Sequence, residues 1–282
     1  MSHLRFDGRV AVVTGSGGGL GQRHAVLLAE RGAKVLVNDP DGEAAARVVR
    51  EIEARGGAAA ANSDPIDTPE GAFTVVAAAV HAFGGLDIVA HQVDRPADLG
   101  VSQAMLTDAD PAQLLVGLFE GFWLARAAWD HMREQRFGRI VLTCAFDGSL
   151  DGATDDGATD DGNTVVSLGL VGLMNILKVE GPHYDVKVNM VVPTATGDPA
   201  STSDLTAYLA HEECAPVGEI FTVRADGLAR MFVGVNAGIF EPSLSMEHVR
   251  DGLEEILNPE TFIVPDEAGG EITLLLRDLG LQ

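Results

Sequence analysis

Apolar residues in this chain come in short dense runs, separated by longer stretches in which they recur every three or four positions. The runs lie at 10–14, 34–38, 58–61, 86–90, 138–143, 186–192 and 219–223, and the periodic stretches at 20–31, 42–55, 69–83, 111–133, 164–180 and 205–213. Dense apolar runs mark strands buried on both faces, and the three-to-four spacing marks helices with one covered face. Their alternation predicts an α/β fold, a Rossmann-type doubly wound parallel sheet of about seven strands with helices on both faces. Glu43/Arg47 and Glu51/Arg55 sit four apart on the second helix and predict two surface ion pairs. The alternation lapses near residue 225, dividing the chain into a 1–225 dinucleotide-binding domain and a 226–282 C-terminal extension. In the extension, 245–257 reads as a helix capped by Ser245. Phe240, Leu244, Phe262 and Ile263 suggest that it packs on the body or on a neighbouring subunit.

The first run ends in a glycine cluster, VAVVTGSGGGLG, before the first helix begins. Strand, glycine turn and helix in that order suit a pyrophosphate, because glycines allow close backbone approach and a helix N-terminus offers free N–H groups. Thr14, Gly15, Gly18, Gly19, Leu20 and Gly21 are the candidate cofactor-binding residues. Asp39 closes the second strand, about 20 residues further on, where a carboxylate bonds the adenosine ribose hydroxyls and repels a 2′-phosphate. That favours NAD over NADP; the alternative is a cap for the helix near Gly42. Asp64, just past the third strand, meets the adenine edge or is a plain turn residue.

Composition narrows the field. A formal net charge of −23 with only three lysines, Lys34, Lys178 and Lys187, excludes nucleic-acid binding and docking on anionic lipid. Apolar residues make up 46 % of the chain, enough for one sizeable core, and no uninterrupted apolar run is long enough to span a bilayer. The N-terminal MSHLRFDGRV lacks an apolar signal region, and Cys144 and Cys214 make no disulfide framework, so a cytoplasmic location is expected. His211-Glu212-Glu213-Cys214 has metal-ligand residue types but no second cluster, and reads as helix surface. The segment 150–163 carries DGATD twice in tandem; its Asp spacing is not that of a calcium loop, and an exposed loop is expected.

The segments GRVAVVTGSGGGLG, KVLVND, LARAAWDHMREQRFGRIV, GLVGLMNILKVEGPHYDVKVN and VVPTA resemble the short-chain dehydrogenase/reductase family over about residues 5–225. The likeness is strongest to bacterial and peroxisomal (3R)-hydroxyacyl-CoA dehydrogenases. The resemblance implies hydride transfer to or from NAD, with a Tyr as general acid/base and a Lys four residues later. A Ser binds the substrate oxygen, and an Asn in the preceding long helix supports a water and the Lys. It also implies dimers and tetramers built through the helices near 111–133 and 164–180, both apolar nearly all round here.

Aligned on these segments, the four positions hold Asn163 for Tyr, Ser167 for Lys, Ala145 for Ser and Gly117 for Asn. The two tyrosines, Tyr184 and Tyr208, have no lysine four residues on, and Lys178 lies three turns beyond Ser167. The family's Asn-Asn-Ala-Gly reads His91-Gln92-Val93-Asp94, and Arg224 stands for a glycine. His91, Cys144, Asp147 and Asn163 are the groups near enough to take over proton transfer. Two readings follow. One is a non-catalytic family member, a homo- or hetero-oligomeric partner of an active paralogue or a nucleotide- or acyl-CoA-binding module. The other is an active NAD-dependent oxidoreductase on a hydroxyacyl-CoA or another secondary alcohol, using non-standard groups.

Overall fold

In the computed structural model, the described residues are 3–93, 115–144, 162–194, 197–225, 227–236, 238–239, 241, 243–258 and 262–264. The strands of the main sheet are β1 (Val10–Thr14), β2 (Lys34–Asn38), β3 (Ala58–Asn62), β4 (Ile88–Gln92), β5 (Gly138–Thr143), β6 (Val186–Pro193), β7 (Ile220–Arg224) and β8 (Gly227–Met231). They lie in the order β3-β2-β1-β4-β5-β6-β7-β8. Pairing from β3 through β7 is parallel, with Thr14 level with Asn38 on one side and His91 on the other. The expected doubly wound sheet is present, with one strand more than anticipated. β7 is not the last: β8, mostly exposed, follows it at the sheet edge.

The helices are α1 (Gly19–Glu30), α2 (Gly42–Ala54), α3 (Pro69–Phe83), α4 (Val116–Gln135), α5 (Gly162–Glu180) and α6 (Pro199–Ala210). The sixth starts and ends earlier than its apolar spacing suggested, because Asp198 caps it by accepting from the Ala200 and Ser201 N–H groups. β4 likewise runs two residues beyond the apolar stretch, to Gln92. α2 starts at Asp41, whose carboxylate accepts from Glu43 N and Ala44 N, and it buries Ala44, Ala45, Val48 and Ile52. α3 starts at Thr68 with Pro69 behind it and stops at Gly84, whose φ of 91° is open to glycine. The predicted Glu51–Arg55 pair forms, but no Glu43–Arg47 pair does; Arg47 donates instead to the Gly17 carbonyl, 3.1 Å away.

The core lies between the sheet and its two helix layers: β1 is buried at every position. α4 and α5 pack closely through small residues. A Cβ at Gly121 would lie 2.7 Å from Leu170 Cδ2, and one at Gly169 2.7 Å from Leu118 Cδ2. By hydropathy and length, Val165–Tyr184 is apolar enough to cross a membrane, although no uninterrupted run is. In this fold, Val166, Leu170, Leu173 and Met174 of that helix are buried. Its opposite face, with Val165, Leu168, Ile176 and Val179, is exposed, as are Phe119 and Phe122 of α4.

The chain divides into two compact units, 1–230 and 231–282. In the second, β9 (Val235–Asn236) pairs antiparallel with β10 (Phe262–Ile263). Ser245 caps α7 (Met246–Asp251) in a reciprocal pair with His248. The predicted single helix breaks at Gly252, and α8 (Leu253–Ile256) follows. Leu244 is exposed; Phe240 and the side chains of Phe262 and Ile263 lie outside the described residues.

Candidate functional site

The strand order reverses between β1 and β4, so the crevice at a parallel sheet's usual ligand-binding place opens beside Thr14 and His91. Thr14 is fully buried, and its Oγ1 shares a 2.8 Å hydrogen bond with His91 Nδ1. Gly15 and Gly19 take positive φ, 58° and 54°. Ser16, buried, donates from Oγ to the carbonyls of Val13 at 2.7 Å and Asn38 at 3.1 Å, pinning the loop to the sheet. No side chain caps α1 at Gly18, and a Cβ there would meet nothing within 4 Å. A Cβ at Gly21 would sit 2.1 Å from the Gly15 carbonyl oxygen. The loop therefore needs glycine at 21 for its own closure and leaves open space at 18. Leu20 is half-buried at the head of α1.

Asp39 lies just past the end of β2, against the loop. One carboxylate oxygen accepts from Gly17 N at 2.7 Å and the other from Asp41 N at 2.9 Å. A carboxylate has about four acceptor sites, so two remain for a diol. Asp41, not Asp39, caps α2. Asp64 is more committed: its carboxylate accepts from Asn62 Nδ2, and its backbone carbonyl from Asn38 Nδ2. The glycine loop, the uncapped helix start and Asp39 fit a dinucleotide. They would hold its pyrophosphate and adenosine ribose, and a bound nicotinamide dinucleotide would supply a hydride-carrying ring.

The opposite wall is apolar where the family resemblance places polar groups. A Cβ on Gly117 would lie 2.6 Å from Val93 Cγ1 and 3.2 Å from Val166 Cγ1. Ser167, fully buried, donates to Cys144 Sγ at 2.8 Å. His91 Nε2 is buried against the Gly117 backbone without hydrogen-bond geometry. Ala145, Asp147, Asp94, the Asn163 side chain and the 151–161 repeat lie outside the described residues. Arg224 ends β7, exposed.

Topology settles where the tyrosines and lysines sit. In a parallel sheet, strand N-termini and the ends of the returning helices share one end, away from the crevice. Lys34 opens β2, Lys187 lies at the start of β6, and Lys178 is in the last turn of α5. Tyr184 precedes β6, and Tyr208 lies near the end of α6. All the tyrosines and lysines of the chain are thus at the end opposite Thr14 and Gly21. Lys187 Nζ donates to the Cys214 carbonyl, and the Lys178 stem packs on Gly218.

His211 is no metal ligand in this arrangement. Nε2 meets the Arg5 carbonyl at 3.0 Å, Nδ1 accepts from Glu213 N at 3.1 Å, and the ring packs edge-on against Phe6. Glu212 pairs with Arg9. Among the described residues no cluster of His, Cys, Asp and Glu could hold a metal ion.

Burial pushes the His24 and His91 imidazoles down to about 4. Unfolded, each titrates near 6.5, so between pH 6.5 and about 4 the unfolded chain binds more protons. Their contribution to stability is complete above pH 6.5 and falls as pH falls towards 4. The expected loss is about 2 kcal/mol per ring between pH 7 and pH 5. Urea denaturation at both pH values should show a smaller drop for His91→Gln, by that amount; equal drops would contradict the assignment.

A doubly wound sheet with a glycine-rich first turn and an acidic second-strand terminus defines a Rossmann-type fold of the dehydrogenase class. The sequence matches the short chain dehydrogenase family over residues 9–207, and the chain belongs to that family. It is 33 % identical over 308 residues to peroxisomal multifunctional enzyme type 2 of Mus musculus, covering 97 % of this chain but 40 % of that protein. It is 35 % identical to a short-chain type dehydrogenase/reductase of Mycobacterium tuberculosis, covering 88 % of this chain and 93 % of that one. Among solved structures, full-length peroxisomal multifunctional enzyme type 2 of Drosophila melanogaster superposes with a TM-score of 0.79 at 28 % identity, over 98 % of this chain and 50 % of that one. The chain thus spans about half or less of these multifunctional relatives.

Proposed function

We propose that this chain is a non-catalytic short-chain dehydrogenase that keeps a cradle for NAD and serves as a partner subunit or a nucleotide- or acyl-CoA-binding module. The observation that carries the reading is the position of its tyrosines and lysines, all at the end of the sheet away from the glycine loop. Hydride transfer to a carbonyl needs a matched proton donor at the substrate oxygen. A phenol next to an ammonium supplies it in the family, and here Val93, Val166 and the Ser167–Cys144 pair fill the described part of that wall. Among the described residues, His91 beside the crevice is buried, bonded to Thr14 and held neutral. The alternative, an active oxidoreductase with non-standard groups, rests on His91, Cys144, Asp147 and Asn163; of these, His91 and Cys144 are buried away from a substrate, and Asp147 and the Asn163 side chain lie outside the described residues.

Asp39 supports NAD over NADP. Asp39→Ala is expected to weaken NAD binding about tenfold or more, since it removes charge-assisted bonds to the ribose; calorimetry checks this, and unchanged affinity would remove Asp39 from the site. The exposed faces of α4 and α5 support an oligomer, homomeric or with an active paralogue. Buried, reduced thiols at Cys144 and Cys214 are compatible with a reducing cytoplasm. Affinity purification of the tagged chain from its native host tests the partner role. A co-purifying catalytic short-chain dehydrogenase is the expected result, and a homo-oligomer alone would count against it.

A further inference from the structure

We propose that Arg47 is a positioning residue for the diphosphate, acting through the Gly17–Gly18 peptide; this rests on the nucleotide reading of the glycine loop. Gly17 is gripped from both sides by groups outside the loop. Its N–H donates to Asp39 Oδ2 at 2.7 Å, and its carbonyl accepts from Arg47 Nη2 at 3.1 Å. It also has no room for a side chain, since a Cβ would lie 2.6 Å from Asp39 Cγ and 2.7 Å from Ala44 Cβ.

The chain has no cis peptide bond among the described residues, and a trans peptide holds its C=O and N–H pointing in opposite directions. With the Gly17 carbonyl drawn towards α2 by Arg47, the Gly18 N–H must point away from α2. Gly18 is the N-cap of α1, has no side-chain cap, and borders open space. Its N–H is thus presented with the first N–H groups of α1, where an anion is stabilised by the helix dipole and by direct donation. Glycines at 17, 18 and 19 would otherwise let this peptide rotate at little cost. Arg47 removes that freedom. Its geometric competitor, an ion pair with Glu43 four residues earlier, does not form. The arginine is exposed at the rim, so its replacement leaves no cavity in the core.

The test uses the full chain and three variants, Arg47→Met, Arg47→Lys and Glu43→Gln. In the ligand-free protein, ¹⁵N NMR should show the Gly18 amide shifted in Arg47→Met. The melting temperature should stay within about 2 °C of wild type. Calorimetry with NAD and with ADP should show affinity falling at least fivefold in Arg47→Met, recovering in part in Arg47→Lys, and unchanged in Glu43→Gln. An unaltered Gly18 amide in Arg47→Met overturns the clamp whether or not nucleotide binds. An altered amide with undiminished NAD and ADP affinity overturns its role in diphosphate binding. If the wild-type chain itself binds neither nucleotide, the nucleotide reading fails and this role fails with it, while the amide shift still reports the clamp.

Discussion

Gly21→Ala should lower stability by about 3 kcal/mol and abolish measurable NAD binding, whereas Gly18→Ala should leave stability within about 0.5 kcal/mol of wild type. The two glycines are three residues apart in one loop, yet they serve different ends. A methyl group at 21 would sit 2.1 Å from the Gly15 carbonyl oxygen and 2.8 Å from its carbon. Both are backbone atoms fixed by β1 and by Ser16, so the loop can admit the methyl only by pulling off the sheet. At 18 the backbone is extended, φ −167°, and nothing lies within 4 Å. A methyl there folds without strain but projects into the space that a pyrophosphate would take. Gly18→Ala should therefore bind NAD at least tenfold more weakly while melting like wild type. Thermal unfolding with calorimetry on both variants checks the pair. Equal stability losses would contradict the geometry.

Restoring an asparagine at 117 should fail alone and succeed in part together with Val93→Ala. Gly117→Asn places a Cβ 2.6 Å from Val93 Cγ1 and carries an amide among the methyls of Val93 and Val166. Overpacking and an unsatisfied buried amide each cost about 1–3 kcal/mol, so a loss near 3 kcal/mol is expected. For a domain of this size that lowers the melting temperature by about 6–12 °C. Val93→Ala removes the clashing methyls. The double variant should be more stable than the sum of the single effects by about 1 kcal/mol or more, a coupling expected of residues in contact. Additive losses would show that Val93 does not fill the space beside Gly117. Where α4 carries no side chain at 117, Val93 beyond the end of β4 fills the space.

The fold was legible because parallel strands buried on both faces write themselves as dense apolar runs, and β1, β2, β5 and β6 are of this kind. Edge strands have no such signature. β8 reads Gly-Leu-Ala-Arg-Met and has the burial of a surface segment, so its sequence does not separate it from a loop. The C-terminal helix broke at Gly252, where a single glycine interrupted an otherwise regular spacing. In the site, residues contributed by one local turn were visible: Thr14 to Gly21 and, at the next strand end, Asp39. Contacts between distant segments were not. Arg47 was assigned to Glu43, its neighbour on the helix, because local spacing cannot reveal the Gly17 carbonyl 30 residues earlier. Val93 and Gly117 likewise meet only after β4 and α4 pack. The signal that could have joined them is volume: a glycine in a long helix and a valine for a small residue at a strand end change in opposite directions.

The central claim is that the nucleotide cradle faces no proton-transfer machinery. The most direct measurement is turnover by the purified chain with NAD and a panel of 3-hydroxyacyl-CoA thioesters, and with NADH and the matching 3-oxoacyl-CoA thioesters, followed at 340 nm. The chain should give no rate above the enzyme-free background in either direction, even where calorimetry shows NAD bound. A rate above background that scales with protein concentration, and is lost in Gly21→Ala, would contradict the claim and restore the chain to the active dehydrogenases.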